Sequence, residues 1–165
     1  MKQLIECVPN FSEGNDPAVI RQITGRIAAV AGVRLLNVDP GKATNRTVMT
    51  FVGTPEAVIA AAFGAIQIAG ELIDMRKHTG EHPRMGATDV CPFVPVSGIT
   101  MEETAAHARK LAEKVGGELH IPVYLYEAAP PAAALHQGLH AFVLLLKTCW
   151  YFLLAPLKVR QILLR

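Results

Sequence analysis

The stretch 78–86 collects the side chains best suited to proton transfer. It reads His-Thr-Gly-Glu-His-Pro-Arg-Met-Gly, and its histidines and glutamate match the letters of an H-x-x-E-H zinc-protease motif. That motif needs a helix, where residues four apart share a face, and Gly80 and Pro83 disfavour one. We therefore expect no metal. The stretch holds either an imidazole that transfers protons, with an ordinary pKa near ~6.5, or two solvated loop histidines.

Two further loops carry side chains that could bind or orient a substrate. Asp39 follows a predicted strand. It is either a turn residue or a carboxylate that orients an imidazole or holds a substrate amine. Asn45 and Arg46 either cap the next strand or bind a substrate carboxylate, because arginine pairs with carboxylates through two hydrogen bonds. Asn10 and Glu13, in the first loop of the chain, leave the same two possibilities open.

Short strands and helices must position these loops. Strands are predicted at 3–8, 33–38, 47–52, 89–96 and 121–126, and two prolines confine the fourth to an edge or irregular position. Helices are predicted from Asp-Pro at 16–17 to Gly32, from Thr-Pro at 54–55 to about Ile73, and from a capping box at 100–103 to 116–117. This βαββαβαβ order, without a G-x-G-x-x-G or Walker loop, indicates a two-layer α/β (α+β) sandwich.

The composition is that of a globular protein from a reducing compartment. Of 165 residues, 51% are hydrophobic and 18% are charged, and a net charge of +2 gives no reason to expect a nucleic-acid partner. Cys7, Cys91 and Cys149 show no C-x-x-C spacing, and no apolar signal segment precedes Glu6. We therefore expect free thiols and a cytoplasmic protein.

The composition changes at Glu127. Beyond it there is no acidic residue, and four basic residues give this end a charge of +4, whereas the first 127 residues carry −2. The apolar stretch 141–157 is shorter than the roughly 20 residues that span a bilayer, and Lys147 interrupts it. We predict a domain over 1–127 and a tail over 128–165. The tail forms either an apolar helix on the sheet or an unstructured extension, and a membrane span is disfavoured.

Read together, the loops resemble the formiminotransferase family. The segments that carry the resemblance are 6–14, 45–48, 72–75, 78–87, 89–93 and 123–126. The most specific is Glu-His-Pro-Arg-Met-Gly at 81–86. The resemblance covers about residues 2–127, the N-terminal subdomain, and ends where the composition changes. We therefore expect a truncated form without the family's second subdomain.

The resemblance implies a ferredoxin-like βαββαβ core, to which the pattern of this chain adds a further strand and its tail a C-terminal apolar helix. It also implies transfer of a formimino group from N-formimino-L-glutamate to N5 of tetrahydrofolate, in histidine degradation and one-carbon metabolism. The family's catalytic histidine falls on His82, and acid–base help of this kind speeds reactions by roughly 10²–10⁴. Asp39 is expected to orient that imidazole, and Arg84 to bind a carboxylate of glutamate or folate.

The same resemblance sets the expected partners. They are N-formimino-L-glutamate, tetrahydrofolate as co-substrate, and a second copy of the chain or a full-length relative. Asn10, Glu13, Asn45 and Arg46 are candidates for binding substrate or folate. We expect reduced or no activity from this chain alone. The alternative is a non-catalytic interaction or dimerisation module related to formiminotransferase.

Overall fold

The computed structural model, which describes residues 1–81, 84–125 and 128, combines an antiparallel sheet with three α-helices. The strands are β1 (Leu4–Cys7), β2 (Asn10–Phe11), β3 (Val33–Gly41), β4 (Arg46–Gly53), β5 (Thr88–Val90) and β6 (Phe93–Ser97). The helices are α1 (Pro17–Ala28), α2 (Pro55–Leu72) and α3 (Met101–Lys114), and a π-helical turn follows over Val115–Leu119.

Strand β4 lies in the middle of the sheet. It pairs with β3 on one side and with both β1 and β2 on the other, while β6 pairs with β1 and β5 with β2. Pro9 separates β1 from β2, and Pro92 separates β5 from β6, because proline has no N–H to donate to a neighbouring strand. The carbonyl groups of Pro9 and Pro92 still accept from Met49 and Val8, at 3.0 and 3.1 Å. The sheet therefore has four positions, in the order β3, β4, β1/β2, β6/β5.

All three helices contribute to a core on one face of the sheet. On β4 the side chains of Thr47, Met49 and Phe51 are buried, and they alternate with half-buried neighbours. Helix α2 contacts α1, α3 and β1, and its buried side is built from alanines with Val58 and Ile66. By length and composition α2 could cross a membrane, but these contacts make it the central helix of the described core.

The opposite side of the sheet is called the open face here. Its residues alternate with the core residues along each strand and are half-buried or exposed. They are Glu6, Asn10, Arg34, Asn37, Asp39, Arg46, Val48, Thr50, Val52 and Val94. In the part of the chain that the structure describes, the three helices all pack on the other side.

The helix starts predicted from local signals are confirmed. Asp16 accepts from the Ala18 N–H at 2.7 Å with Pro17 as the first residue of α1. Thr100 and Glu103 form the complete capping box of α3, with each side chain bonded to the other's backbone N–H. Pro55 begins α2 as expected, although the Thr54 side chain makes no cap hydrogen bond.

Two strand predictions need correction, and one observed strand was not predicted. The predicted strand 121–126 is wrong for its described residues, because 121–125 pair with no strand. The apolar residues of this segment still pack against the core; they are Ile121, Val123 and Leu125. Their alternation therefore reflects burial rather than strand pairing. Pro122 also lacks the backbone N–H that a strand would donate to its neighbour. Strand β3 runs on to Gly41 rather than ending at 38, and β2 was not expected.

The predicted strand 89–96 is confirmed in part, and the predictions for the tail are not tested. The predicted strand 89–96 is split into β5 and β6 at Cys91 and Pro92, and both pieces lie at the sheet edge, as its prolines indicated. The predicted tail helix, the apolar stretch 141–157 and the domain boundary at 127 lie outside the described residues. They stay predictions.

Candidate functional site

Three polar loops meet at one end of the sheet: the first loop (12–16), the second loop (42–45) and the third loop (73–87). Ser12 joins the first to the third, since its N–H donates to the Ala87 carbonyl at 2.9 Å and its hydroxyl to Gly86 at 2.7 Å. The Glu81 N–H joins the third loop to the second through the Ala43 carbonyl, at 3.3 Å. The loops separated in sequence therefore form one hydrogen-bonded unit.

Asn45 connects all three loops. Its Oδ1 accepts from the Gly14 N–H and its Nδ2 donates to the Thr79 carbonyl, both at 2.9 Å, while its own carbonyl lies 3.0 Å from His78 Nε2. Its φ of 46° lies in the left-handed region, which asparagine tolerates better than most residues. Both amide atoms are therefore bonded within the protein, and the substrate-binding role predicted for Asn45 stays a prediction.

Glu13 is also bonded within the scaffold. Its Oε1 accepts from the N–H groups of Asn15 and Asp16 at 2.7 and 2.8 Å, just before α1. Its carbonyl accepts from the Thr47 hydroxyl at 2.6 Å. Next to it, a Cβ at Gly14 would lie 2.5 Å from the Gly41 carbonyl, so only glycine fits this approach. The first loop is therefore held tightly against the start of β4.

Arg84 lies inside the protein rather than on the surface. Its side chain is only 1% exposed, its Nη2 donates to the Thr44 carbonyl at 2.9 Å, and its Nη1 lies 4.0 Å from Asp89 Oδ2. Asp89 in turn accepts from the Met85 N–H at 2.9 Å. Arg84 thus ties the third loop to the second. The carboxylate-binding role predicted for it stays a prediction.

The beginning of the third loop is held by Asp74. This carboxylate accepts from the backbone N–H and the Nε of Arg76 at 3.1 and 2.8 Å. The hydrogen bond from the Arg76 side chain lowers the pKa of Asp74 to about 2, so the pair is charged at neutral pH. The turn is exposed and fixes the path of the chain towards His78.

Three of the candidate residues share the open face beside these loops. Asp39 and Asn10 both pair with Val48, one from each side, and Arg46 lies two residues before Val48 on β4. Neighbouring strands are about 4.8 Å apart, so the Asp39 and Asn10 backbones are separated by roughly 10 Å. The side chains of Asp39 and Arg46 make no hydrogen bond or ion pair with other described residues. They are therefore available to a ligand.

His82, the predicted catalytic residue, lies outside the described residues, as does Pro83. The residues on either side of them, Glu81 and Arg84, both contact the second loop. Residues 78–81 are not helical, so the described part of the H-x-x-E-H stretch lacks the geometry of the protease motif. Among the described residues, no three histidine, cysteine or acidic side chains are grouped to hold a metal ion.

Sequence reasoning missed Ser12, Thr47 and Asp89 as parts of the site. Ser12 and Thr47 are buried polar residues, and Thr47 occupies a core position of a strand whose other core residues are apolar. A polar residue at an inward strand position signals a specific hydrogen bond, because a buried hydroxyl needs a partner. Asp89 carried a weaker signal, an opposite charge five residues after Arg84.

Comparison with known proteins identifies the family. The family described as formiminotransferase domain, N-terminal subdomain, matches residues 4–140. The chain is 56% identical over 129 residues to the formimidoyltransferase-cyclodeaminase of Rattus norvegicus, covering 78% of this chain and 24% of the relative. It is 47% identical over 127 residues to the glutamate formimidoyltransferase of Streptococcus pyogenes serotype M1, covering 77% of this chain and 42% of the relative.

The chain thus spans 24% and 42% of the length of these two curated relatives. The matched range contains all three loops and the open-face residues Asn10, Asp39 and Arg46. The chain belongs to the formiminotransferase family, and its matched part corresponds to the N-terminal subdomain of the formiminotransferase domain.

Proposed function

We propose that this chain carries one side of a formimino-transfer site. The reaction moves a formimino group from N-formimino-L-glutamate to N5 of tetrahydrofolate. The observation that supports it best is the meeting of the three loops beside Asn10, Asp39 and Arg46 on the open face. The names of the relatives, formimidoyltransferases, support the reaction class. Tetrahydrofolate as the acceptor and histidine degradation as the pathway are part of the proposal.

We also propose that the fold is a ferredoxin-like sandwich. If β1 with β2, and β5 with β6, are each counted as one strand, the chain order is βαββαβ followed by α3. The order across the sheet is then second, third, first, fourth, with every pairing antiparallel. This order, together with helices on a single face, is the observation in favour of the assignment.

The proposed chemistry requires one proton to move from N5 of the folate to the glutamate nitrogen. N5 of the folate attacks the formimino carbon, the bond from that carbon to the glutamate nitrogen breaks, and glutamate leaves as an amine. His82 takes the proton from N5 and delivers it to the leaving nitrogen. Asp39 orients that imidazole, and Arg46 pairs with a carboxylate of the substrate or the folate. Asn45 and Arg84 hold the loops that carry these groups.

The test is formimino transfer by the purified full chain, beside His82→Ala and Asp39→Asn. Loss of His82 should lower the rate by about 10²-fold or more, because acid–base help is worth roughly that factor. Asp39 is exposed on β3, so its variant should lose activity while keeping wild-type stability in urea. Glu113→Gln, which changes an exposed carboxylate on α3 in the same way, is the matched control. Transfer that is unchanged in His82→Ala would contradict the assignment.

A non-catalytic interaction module is the second candidate. The observation in its favour is that the chain spans only 24–42% of its relatives' length. This candidate predicts no transfer by the chain alone, and association with a full-length glutamate formimidoyltransferase in sedimentation measurements. Wild-type transfer that depends on His82 would exclude it.

We further propose that the protein resides in the cytoplasm. Cys7 and Cys91 are buried free thiols whose sulfur atoms lie 3.5 Å apart. Burial raises the pKa of the Cys7 thiol, so it stays protonated and unreactive at neutral pH. Two thiols that lie so close without a bond are compatible with a reducing compartment. Cell fractionation tests this, and recovery of the chain in a secretory fraction would contradict it.

A further inference from the structure

A groove runs between α1 and α2 on the helix side of the molecule, away from the open face. Its volume is about 460 Å³. Small-molecule sites have volumes of about 300–1,000 Å³. Its polar lining residues are Gln22 and Arg26 from α1, and Gln67 and Glu71 from α2. None of these four side chains makes a hydrogen bond or ion pair with another described residue. The groove therefore presents two opposite charges and two amides that the described chain leaves unpaired.

The two charges stand at different ends of this groove. The Arg26 side chain crosses α2 at Gly64, where an added Cβ would lie 2.9 Å from Arg26 Nε and 3.2 Å from its Cγ. Glycine at position 64 therefore leaves the space that the arginine occupies. Glu71 lies two helical turns beyond Gly64, which is roughly 10 Å along the axis of α2. Gln67 lies between them on the same helix, so an amide separates the two charges.

Gly25, on the α1 wall of the groove, is a second observation that points to a ligand. Glycine inside a helix lowers its stability relative to alanine, so a glycine there calls for a physical reason. A Cβ at Gly25 would meet no atom within 4 Å, so packing within the described chain does not supply that reason. Glycine does suit a position where a ligand closely approaches the backbone.

We propose that this groove binds a short zwitterionic peptide of about three residues. The peptide carboxylate pairs with Arg26 and its ammonium group with Glu71. Its amide groups bond to the two glutamine side chains, which can both donate and accept. An extended chain rises about 3.3 Å per residue, so three residues span the roughly 10 Å between the charges. The site lies on the helix side of the sheet and does not depend on the proposed transfer reaction.

Titration of the isotope-labelled full chain with triglycine, followed by NMR, tests for this site. A ligand of this size in an exposed groove is expected to bind with a Kd on the order of 1 mM. The Gly25 N–H signal and the side-chain amide signals of Gln22 and Gln67 should shift and saturate. Free glycine cannot reach both charges and should bind about tenfold more weakly or less. The absence of a saturable shift at these three residues would overturn the proposal.

Blocking each end of the peptide tests the two charge pairs separately. Amidation of the carboxylate and acetylation of the amine should each weaken binding to the wild-type chain by about fivefold, the usual upper effect of an exposed ion pair. In Arg26→Gln, amidation should have no further effect, and in Glu71→Gln, acetylation should have none. Arg21→Gln, also exposed on α1, is the control and should respond as the wild type does. Equal responses of all variants to both blocking groups would overturn the assignment.

Gly25→Ala distinguishes a binding role from a structural one. Alanine favours the helix, so the urea midpoint of unfolding should rise. The added methyl group narrows the groove, so triglycine should bind about fivefold more weakly. Gly117→Ala is the matched control, because a Cβ there also meets no atom within 4 Å but lies outside the groove, and it should leave binding unchanged. Unchanged or tighter binding by Gly25→Ala would contradict a ligand against this wall.

Discussion

Asn45 shows how the polar end of the sheet is held together by an uncharged residue. Its side-chain amide bonds to the first loop through Gly14 and to the third through Thr79, while its carbonyl contacts His78. The residue also adopts a left-handed backbone conformation. Two separate requirements, hydrogen bonds and backbone conformation, therefore fall on one position, and they can be separated by substitution.

Asn45→Ala should lower the free energy of unfolding by about 2–4 kcal/mol, from two lost hydrogen bonds and the strain of alanine at positive φ. Asn45→Gly loses the same hydrogen bonds without that strain, and should be about 1 kcal/mol more stable than Asn45→Ala. Urea unfolding measures both, with Asn37→Ala as the exposed control. Equal stability of the alanine and glycine variants would show that the backbone conformation has no cost.

His107, on α3, introduces a pH dependence that is separate from the site. Burial, with Lys110 as the second cause, lowers the pKa of His107 below its ordinary value, and its Nδ1 is buried without a hydrogen bond from a described residue. The unfolded chain therefore takes up the proton first as the pH falls below about 6.5. Stability is full above that pH and declines as the pH falls towards the lower pKa of the folded state.

His107→Gln should remove this contribution. Between pH 7.5 and 5, the wild-type urea midpoint should fall more than that of the variant, since the other titrating groups are common to both. Equal pH profiles would mean that His107 is not responsible for any of the loss.

At the scale of elements, the helix caps differ in a way that allows a matched comparison. Both α2 and α3 begin after a threonine, but Thr100 takes part in a capping box and Thr54 makes no cap hydrogen bond. The Thr100 hydroxyl accepts from the Glu103 N–H at 3.2 Å, and Glu103 accepts from the Thr100 N–H at 2.8 Å. Only Thr100 should therefore contribute to stability through its cap.

Thr100→Ala should lower the free energy of unfolding by about 1 kcal/mol, the usual contribution of an N-cap. Thr54→Ala should change it by clearly less, because no cap hydrogen bond is lost. Thermal unfolding followed by circular dichroism compares the two variants directly. A larger loss in Thr54→Ala than in Thr100→Ala would contradict this account of the helix starts.

At the scale of the whole molecule, strand register brings candidate residues from distant segments onto one surface. Asp39 and Asn10 pair with Val48 from opposite sides, beside the three hydrogen-bonded loops. The candidate site therefore forms only when the sheet is paired.

Local rules determined much of this protein from the sequence alone. Asp16 with Pro17, and Thr100 with Glu103, mark helix starts because a cap involves only neighbouring residues. The prolines of 89–96 indicated an irregular edge for the same reason. The letters at 81–86 identified the family without any structural information.

Only the tertiary structure decided which residues meet. Strand register places Asp39 and Asn10 on either side of Val48, and packing buries Arg84 against Thr44 and Asp89. The alternation at 121–125 predicted a strand, but a strand also needs a partner, and the described fold supplies none there. Caps and turns are set by a few adjacent residues, whereas pairing, burial and shared faces depend on contacts between segments distant in sequence.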